Sequence, residues 1–341
     1  MGELRQSNIE LLRIISMFFI LIVHFDGAAL GLPHIMTLDD ICDFGTLSKE
    51  IIESVAIIGV NCFVLISGYF GIKFSVKGLL NFWVWCIFYS VLLYLLIAPV
   101  TGKFSISGFL LSFLAVSHTD LWFVPAYFGL YILSPLLNAG IKILSERQYI
   151  WLLAGVLFLN VYLGWLNDNR INPTGYNTMQ LIMLYIIGRY IGLYFVGKIR
   201  HINNLRLKIT GLYVICVLMI FAGTFFFAST KAFAYNSPFV LGASVLFFLI
   251  FTTFRYYNSS VNWIASSAFA VYLIHKSVML WYPLKCVVIY LSKNYDYLMF
   301  TVFVLLLMFL IFIGSVVFDK LRMRLTDPVV KWLAGKIKVM S

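Results

Sequence analysis

Charge is what this sequence has least of. Only 11% of its 341 residues are Asp, Glu, Lys or Arg, while 62% are hydrophobic and the mean hydropathy is +0.95. A soluble chain carries about 25% charged residues, so a water-exposed globule of this composition would run short of polar surface. With 8 prolines and 23 glycines, collagen-like and low-complexity chains are excluded, and 18% aromatic content excludes disorder. Short alternating segments are missing too. The apolar runs are long and continuous, which excludes a porin-like barrel and leaves an all-α integral membrane protein.

Compact chemical motifs are equally scarce. The five cysteines (Cys42, Cys62, Cys86, Cys216 and Cys286) are odd in number and scattered, so they suggest neither a disulfide framework nor a metal site. There is no H-E-x-x-H, no paired C-x-x-C and no G-x-S-x-G. Gly192 to Lys198 reads G-x-x-x-x-G-K, but Ile199 follows and the segment ends a membrane span, where a P-loop needs a strand before it. Asn258-Ser-Ser is a formal glycosylation sequon that the topology places inside. No internal period or matched pair of half-chains is visible.

Runs long enough to span lie near 9–31, 51–70, 79–100, 121–141, 149–166, 178–197, 209–229, 237–254, 262–281 and 297–318, which predicts about ten transmembrane helices. Residues 104–116 are apolar but too short to cross and read as re-entrant or interfacial. Basic residues near span ends are retained in the cytoplasm. With the amino terminus inside, 16 of the 25 Lys and Arg, from Arg5 to Lys338, fall in inside loops and the tail, against 6, Arg170 among them, outside. Both termini are therefore expected in the cytoplasm, and the net charge of +11 reads as topology and contact with anionic lipid rather than nucleic acid. Arg13 and His24 interrupt the first run, which argues against a cleavable signal.

Ionisable groups within spans are costly, by about 2.5–3.5 kcal/mol each, and so are candidates for function. They are Arg13, His24, Arg189, His275 and Lys276. Eleven helical residues make close to three turns, so Arg13 and His24 share one helix face at a separation of roughly 16 Å. Arg13 offers forked donors to a phosphate or carbonyl oxygen, and His24 can take a proton from a hydroxyl near neutral pH. Equally, Arg13 can snorkel to the inner interface and His24 can be a hydrogen-bonded core histidine. Lys73 and Lys77, four apart, share a helix face if the second helix continues; they can hold donor phosphates or simply anchor topology. His275, beneath Ser266, Ser267 and Tyr272, is either functional or part of an interhelical hydrogen-bond network.

The run Asn8-Ile-Glu10-Leu-Leu-Arg13-Ile, continuing to His24 as R-x10-H, resembles the membrane-bound acyltransferase family 3, whose members O-acylate bacterial surface glycans. Ser67-Gly-Tyr-Phe, Leu121-Trp122-Phe, Ser134-Pro-Leu-Leu, Tyr235-Asn-Ser-Pro and Ser266-Ser267-Ala-Phe-Ala-Val-Tyr272-Leu-Ile-His275 agree with it over nearly the whole chain. The resemblance implies His24 as catalytic histidine, Arg13 as essential arginine and an acyl-CoA, usually acetyl-CoA, as donor. Lys73 and Lys77 stand where relatives carry basic residues thought to meet the CoA phosphates. Many relatives place a histidine just before Leu-Trp-Phe; here Asp120 stands there and His118 is two residues earlier.

The sequence thus predicts a single transmembrane domain over 1–341 with a basic tail at 319–341, no fused extracellular domain, and no metal or permanently bound cofactor. The expected reaction moves an acyl group, most simply acetyl, from cytoplasmic acyl-CoA to a hydroxyl of an envelope glycan or its lipid-linked precursor at a bacterial plasma membrane. A separate extracellular transferase is a possible partner. Two rivals are a flippase for a lipid-linked saccharide and a transmembrane acyl relay. Ion-coupled transport is disfavoured because Glu10, Asp26 and Glu53 fall near span ends and no carboxylate stands at mid-depth in these runs.

Overall fold

Each of the ten apolar runs is helical in the computed structural model, which describes residues 6–117, 120–167 and 172–340, with side chains to 336. Arg5, His118 and Arg170 lie outside the described residues, as does the side chain of Lys338. In chain order the main helices are α1 (Ser7–Ala28), α2 (Phe44–Phe70), α3 (Val76–Ile97), α4 (Phe123–Ile143), α5 (Glu146–Leu166) and α6 (Thr178–Ile199). They continue as α7 (Leu205–Gly223), α8 (Pro238–Thr252), α9 (Ser259–His275), α10 (Val278–Asn294) and α11 (Tyr297–Met340). Among the described residues there is no strand.

Two of the ten runs are not straight, full-length spans. Among the described residues eight helices are long and apolar enough to cross a bilayer, or nine if α9 and α10 form one broken span. The run at 262–281 is not straight: α9 and α10 meet at an 82° bend. The run at 237–254 yields only the 15 residues of α8, about 22 Å of helix against a hydrocarbon core of about 30 Å. The run near 104–116 folds as a seven-residue helix, Ile106–Ser112, capped where Ser105 Oγ accepts from Gly108 N–H at 3.0 Å. The stretch from 319, read as a tail, continues α11 without a break.

The chain forms two compact units, Met1–Ile72 with Leu136–Ala265 and Lys73–Pro135 with Ser266–Ser341. In the first, α2 crosses α6 with backbones in contact. A Cβ on Gly68 would lie 2.4 Å from the Tyr185 carbonyl oxygen, and one on Gly188 would lie 2.5 Å from that of Leu65. Small residues permit this approach where no hydrophobic force draws helices together. Gly188→Ala is expected to destabilise the protein by about 1–3 kcal/mol, because backbone on both sides must move. A thermal unfolding midpoint in detergent unchanged from wild type would contradict this.

A buried amide network closes one end of this unit. Asn172 donates to Asn160 Oδ1 at 2.6 Å, Gln180 and Asn61 both donate to the Tyr235 carbonyl at 2.9 Å, and Asn236 donates to the Asn160 carbonyl at 3.0 Å. The Tyr235-Asn-Ser-Pro landmark is thus part of the scaffold. Outside the spans, Asp40 caps the short helix Leu38–Cys42 with Thr37, whose hydrogen bonds hold its carboxyl below the usual carboxylate range.

The second unit packs α3, the first half of α4, the end of α9, α10 and α11. Phe82, Tyr127, Phe123, Phe269 and Tyr272 form its aromatic centre, with ring centroids 5.5–6.1 Å apart in successive contacts. Deep in this unit Asp319 Oδ1 accepts from Tyr89 Oη at 2.9 Å and from Arg322 Nε at 2.6 Å. Arg322 also donates to Thr326 Oγ1 at 3.0 Å and lies over the Trp85 ring. Leu305, Leu306, Phe309 and Leu310 stay exposed on α11, as a surface facing lipid tails requires.

Candidate functional site

Helix α1 is held by its first turn. Ser7 Oγ donates to Asn262 Oδ1 at 2.9 Å and accepts from the Asn258 N–H, while Asn8 donates to the Phe251 carbonyl at 2.8 Å. Arg13 is half-buried, with its guanidinium 3.2 Å from Glu10 and 5.9 Å from the Phe63 ring centroid. Glu10 is therefore the counter-charge that makes Arg13 tolerable within the helix, and the spacing of three residues places it there. The backbone is regular α-helix through Val23, so Arg13 and His24 do share a face, three turns apart. They do not touch.

His24 opens a wider turn. Residues His24–Ala28 form a π-helical segment, a geometry frequent at functional sites. It carries Asp26 and brings Gly27 against Glu53, where an added Cβ would lie 3.0 Å from Oε1. Glu50 and Glu53, one turn apart on α2, are buried, and Asp26 Oδ2, both Glu50 oxygens and Glu53 Oε2 have no hydrogen-bond partner among the described residues. Asp26 does lie near the end of its span, as expected, but Glu53, expected near a span end too, is buried well inside α2. The carboxylates line the turn that His24 begins. Sequence position misled because Glu50 and Glu53 enter this group only through the packing of α2 on α1; their spacing of three on one helix face, and Asp26 two residues after His24, were the available signals.

Lys73 and Lys77 do not share a helix face. Gly71, with φ of 73°, ends α2, residues 71–75 are not helical, and α3 starts anew behind the Ser75 cap. Glycine is required at position 71 on two counts, its left-handed backbone and the Arg189 guanidinium, whose Cζ would lie 3.1 Å from a Cβ. Arg189 thus packs at the end of α2 within the first unit, while both lysines are exposed in the second.

The remaining candidates belong to the second unit. Trp122 stands edge-on to Phe123 at 5.8 Å. Ser267 is buried ahead of the helix Ala268–His275, and its Oγ has no hydrogen-bond partner among the described residues. Tyr272 packs on Phe123 and on the His275 ring, 6.2 Å away, and the buried His275 Nδ1 is 2.5 Å from the Val271 carbonyl oxygen. Ser266 accepts from Lys320 Nζ at 2.6 Å. These contacts favour the structural reading of the Ser-Tyr-His run as the joint before the 82° bend. Beside it a cleft of about 460 Å³, walled by Tyr94, Leu111, Asp120, Leu273 and Ser277, has the size of a small-ligand site.

Among the described residues no three His, Cys, Asp or Glu side chains, the Asp26, Glu50 and Glu53 group included, are arranged so that they could hold a metal ion. The family model described as an acyltransferase domain matches residues 6–320. Neither a curated protein nor a solved structure matches the chain.

Proposed function

Because the chain belongs to acyltransferase family 3 and is a membrane acyltransferase, we propose that it moves an acyl group, acetyl in the simplest case, from cytoplasmic acyl-CoA to a hydroxyl of a cell-envelope glycan or its lipid-linked precursor. The proposed setting is a bacterial plasma membrane with both termini in the cytoplasm, as the excess of Lys and Arg in alternate loops argues. The observation that carries this reading is the shared face of α1. It offers a cation towards one end and a proton acceptor towards the other, along the direction in which a donor from inside and an acceptor from outside would meet.

In this mechanism His24 takes the proton of the acceptor hydroxyl as its oxygen attacks the thioester carbonyl carbon. Arg13, steadied by Glu10, orients the donor. The C–O ester bond forms, the C–S bond breaks, and the proton passes from His24 to the departing sulfur. The products are the O-acyl ester and free CoA thiol. In this reading Asp26, within the turn that His24 opens, and Glu53, against Gly27 of the same turn, balance the imidazolium charge that develops.

Purified full-length protein given labelled acetyl-CoA and candidate glycans should transfer label to a hydroxyl. Loss of one O-acyl signal from the surface glycans of a deletion strain, read by NMR and mass spectrometry, would name the acceptor. An unchanged set of O-acyl signals in that strain would refute the reading.

A further inference from the structure

The first unit contains a second cleft, of about 920 Å³, where α6 ends, α7 begins and α8 ends. In the orientation proposed above these three helix ends are cytoplasmic. Arg200, Arg206 and Arg255, all exposed, line it together with Thr210 and Thr253. Among the described residues no carboxylate lines the cleft, and no ion pair engages these three guanidinium groups. Arg206 is fixed: its Nε donates to Thr253 Oγ1 at 3.0 Å and its plane lies over Phe254, which leaves its terminal nitrogens for another acceptor. The 19-residue α7 starts at the same place behind a left-handed Asn204 that provides no side-chain cap, so the positive end of its dipole faces the cleft.

Three neighbouring cations without a carboxylate repel one another, and a multiply charged phosphate ligand relieves that repulsion while matching the guanidinium fork. We propose that this cleft binds the phosphate groups of the acyl donor, the 3′-phosphate of its nucleotide head above all, in place of the Lys73 and Lys77 pair. The proposal rests on acyl-CoA being the donor. A lipid headgroup is the other source of phosphate at such a surface, but a phosphodiester carries a single charge and calls for fewer cations. Tyr69, in the Ser67-Gly-Tyr-Phe landmark, packs against Gly192 of α6, which joins the inner end of α2 to the helix that ends at the cleft.

The test is equilibrium binding of CoA and of 3′-dephospho-CoA to the full chain in nanodiscs of neutral lipid, by calorimetry. Wild type should bind CoA at least about tenfold more tightly than the dephospho form, and R206Q or R255Q should each weaken CoA about tenfold and narrow that preference, as loss of a charge-assisted contact implies. K73Q and K77Q should keep the preference, and an unchanged unfolding midpoint would show that the arginine variants are folded. Equal CoA affinity in folded arginine variants, or loss of the preference in the lysine variants, overturns the site while leaving the donor reading intact. Wild-type binding of neither ligand removes the donor reading and the site with it. Repeating the measurement with anionic lipid separates the sources: if the arginine variants alter only the response to that lipid, the cleft is a headgroup site and the proposal fails.

Discussion

Replacing His24 by alanine is expected to lower acyl transfer by about 10²–10⁴-fold, the range that a positioned general base contributes. The substitution lies where regular α-helix gives way to the wide turn, and alanine favours helix, so the protein should still reach the membrane. Two measurements separate chemistry from folding: label transfer from acetyl-CoA by the purified variant, and its unfolding midpoint. Loss of transfer with a wild-type midpoint is the expected result. Wild-type acyl content on the surface glycan of cells carrying the variant would exclude His24 as the base. Arg13→Lys is a milder companion, since it keeps the charge facing Glu10 but loses the fork; it should raise KM for the donor more than it lowers kcat.

The largest effect on stability is expected at Arg322. Its side chain is 1% exposed, and its partner Asp319 is fully buried. Arg322→Met leaves an uncompensated carboxylate inside the second unit, where only the Tyr89 hydroxyl still donates to it, and should cost about 3–5 kcal/mol. Asp319→Leu strands the guanidinium in turn and should cost as much. Combining the two removes both charges, and the double variant should recover most of the loss, because a buried ion pair and a well-packed apolar replacement are often close in stability. Unfolding midpoints in detergent decide this: single variants at the wild-type midpoint would show that the charges are hydrated, and a double variant as unstable as the sum of the two would show that Asp319 and Arg322 do not act as a coupled pair.

The two residues also show how far a linear reading reaches. Asp319 and Arg322 stand at the start of a basic stretch that, by composition, is a tail following the last span. The same is true of Asp26, Glu50 and Glu53, which as positions along the chain are merely near the ends of runs. Lys73 and Lys77 erred the other way: a spacing of four suggests a shared face, but a left-handed glycine at 71 ends the helix between the landmark and the lysines. The three arginines of the large cleft are ordinary inside-loop cations in the sequence, separated by up to 55 positions, and become one group where the ends of α6, α7 and α8 meet.

What the chain determines by itself is whatever is local or additive. Runs of apolar residues decide that it is a helical membrane protein, the sum of basic residues in alternate loops argues its orientation, and a helical repeat places Arg13 and His24 on one face. Tertiary structure alone decided the rest: the bend between α9 and α10, the backbone contact of α2 with α6, the pairing of Asp319 with Arg322, the packing of Glu53 against the turn that His24 opens, and the arginines that line one cleft at the helix ends. Each depends on which distant segments pack together, and in a chain with so few charges the energy of every one is set by how deeply it is buried and by what lies against it.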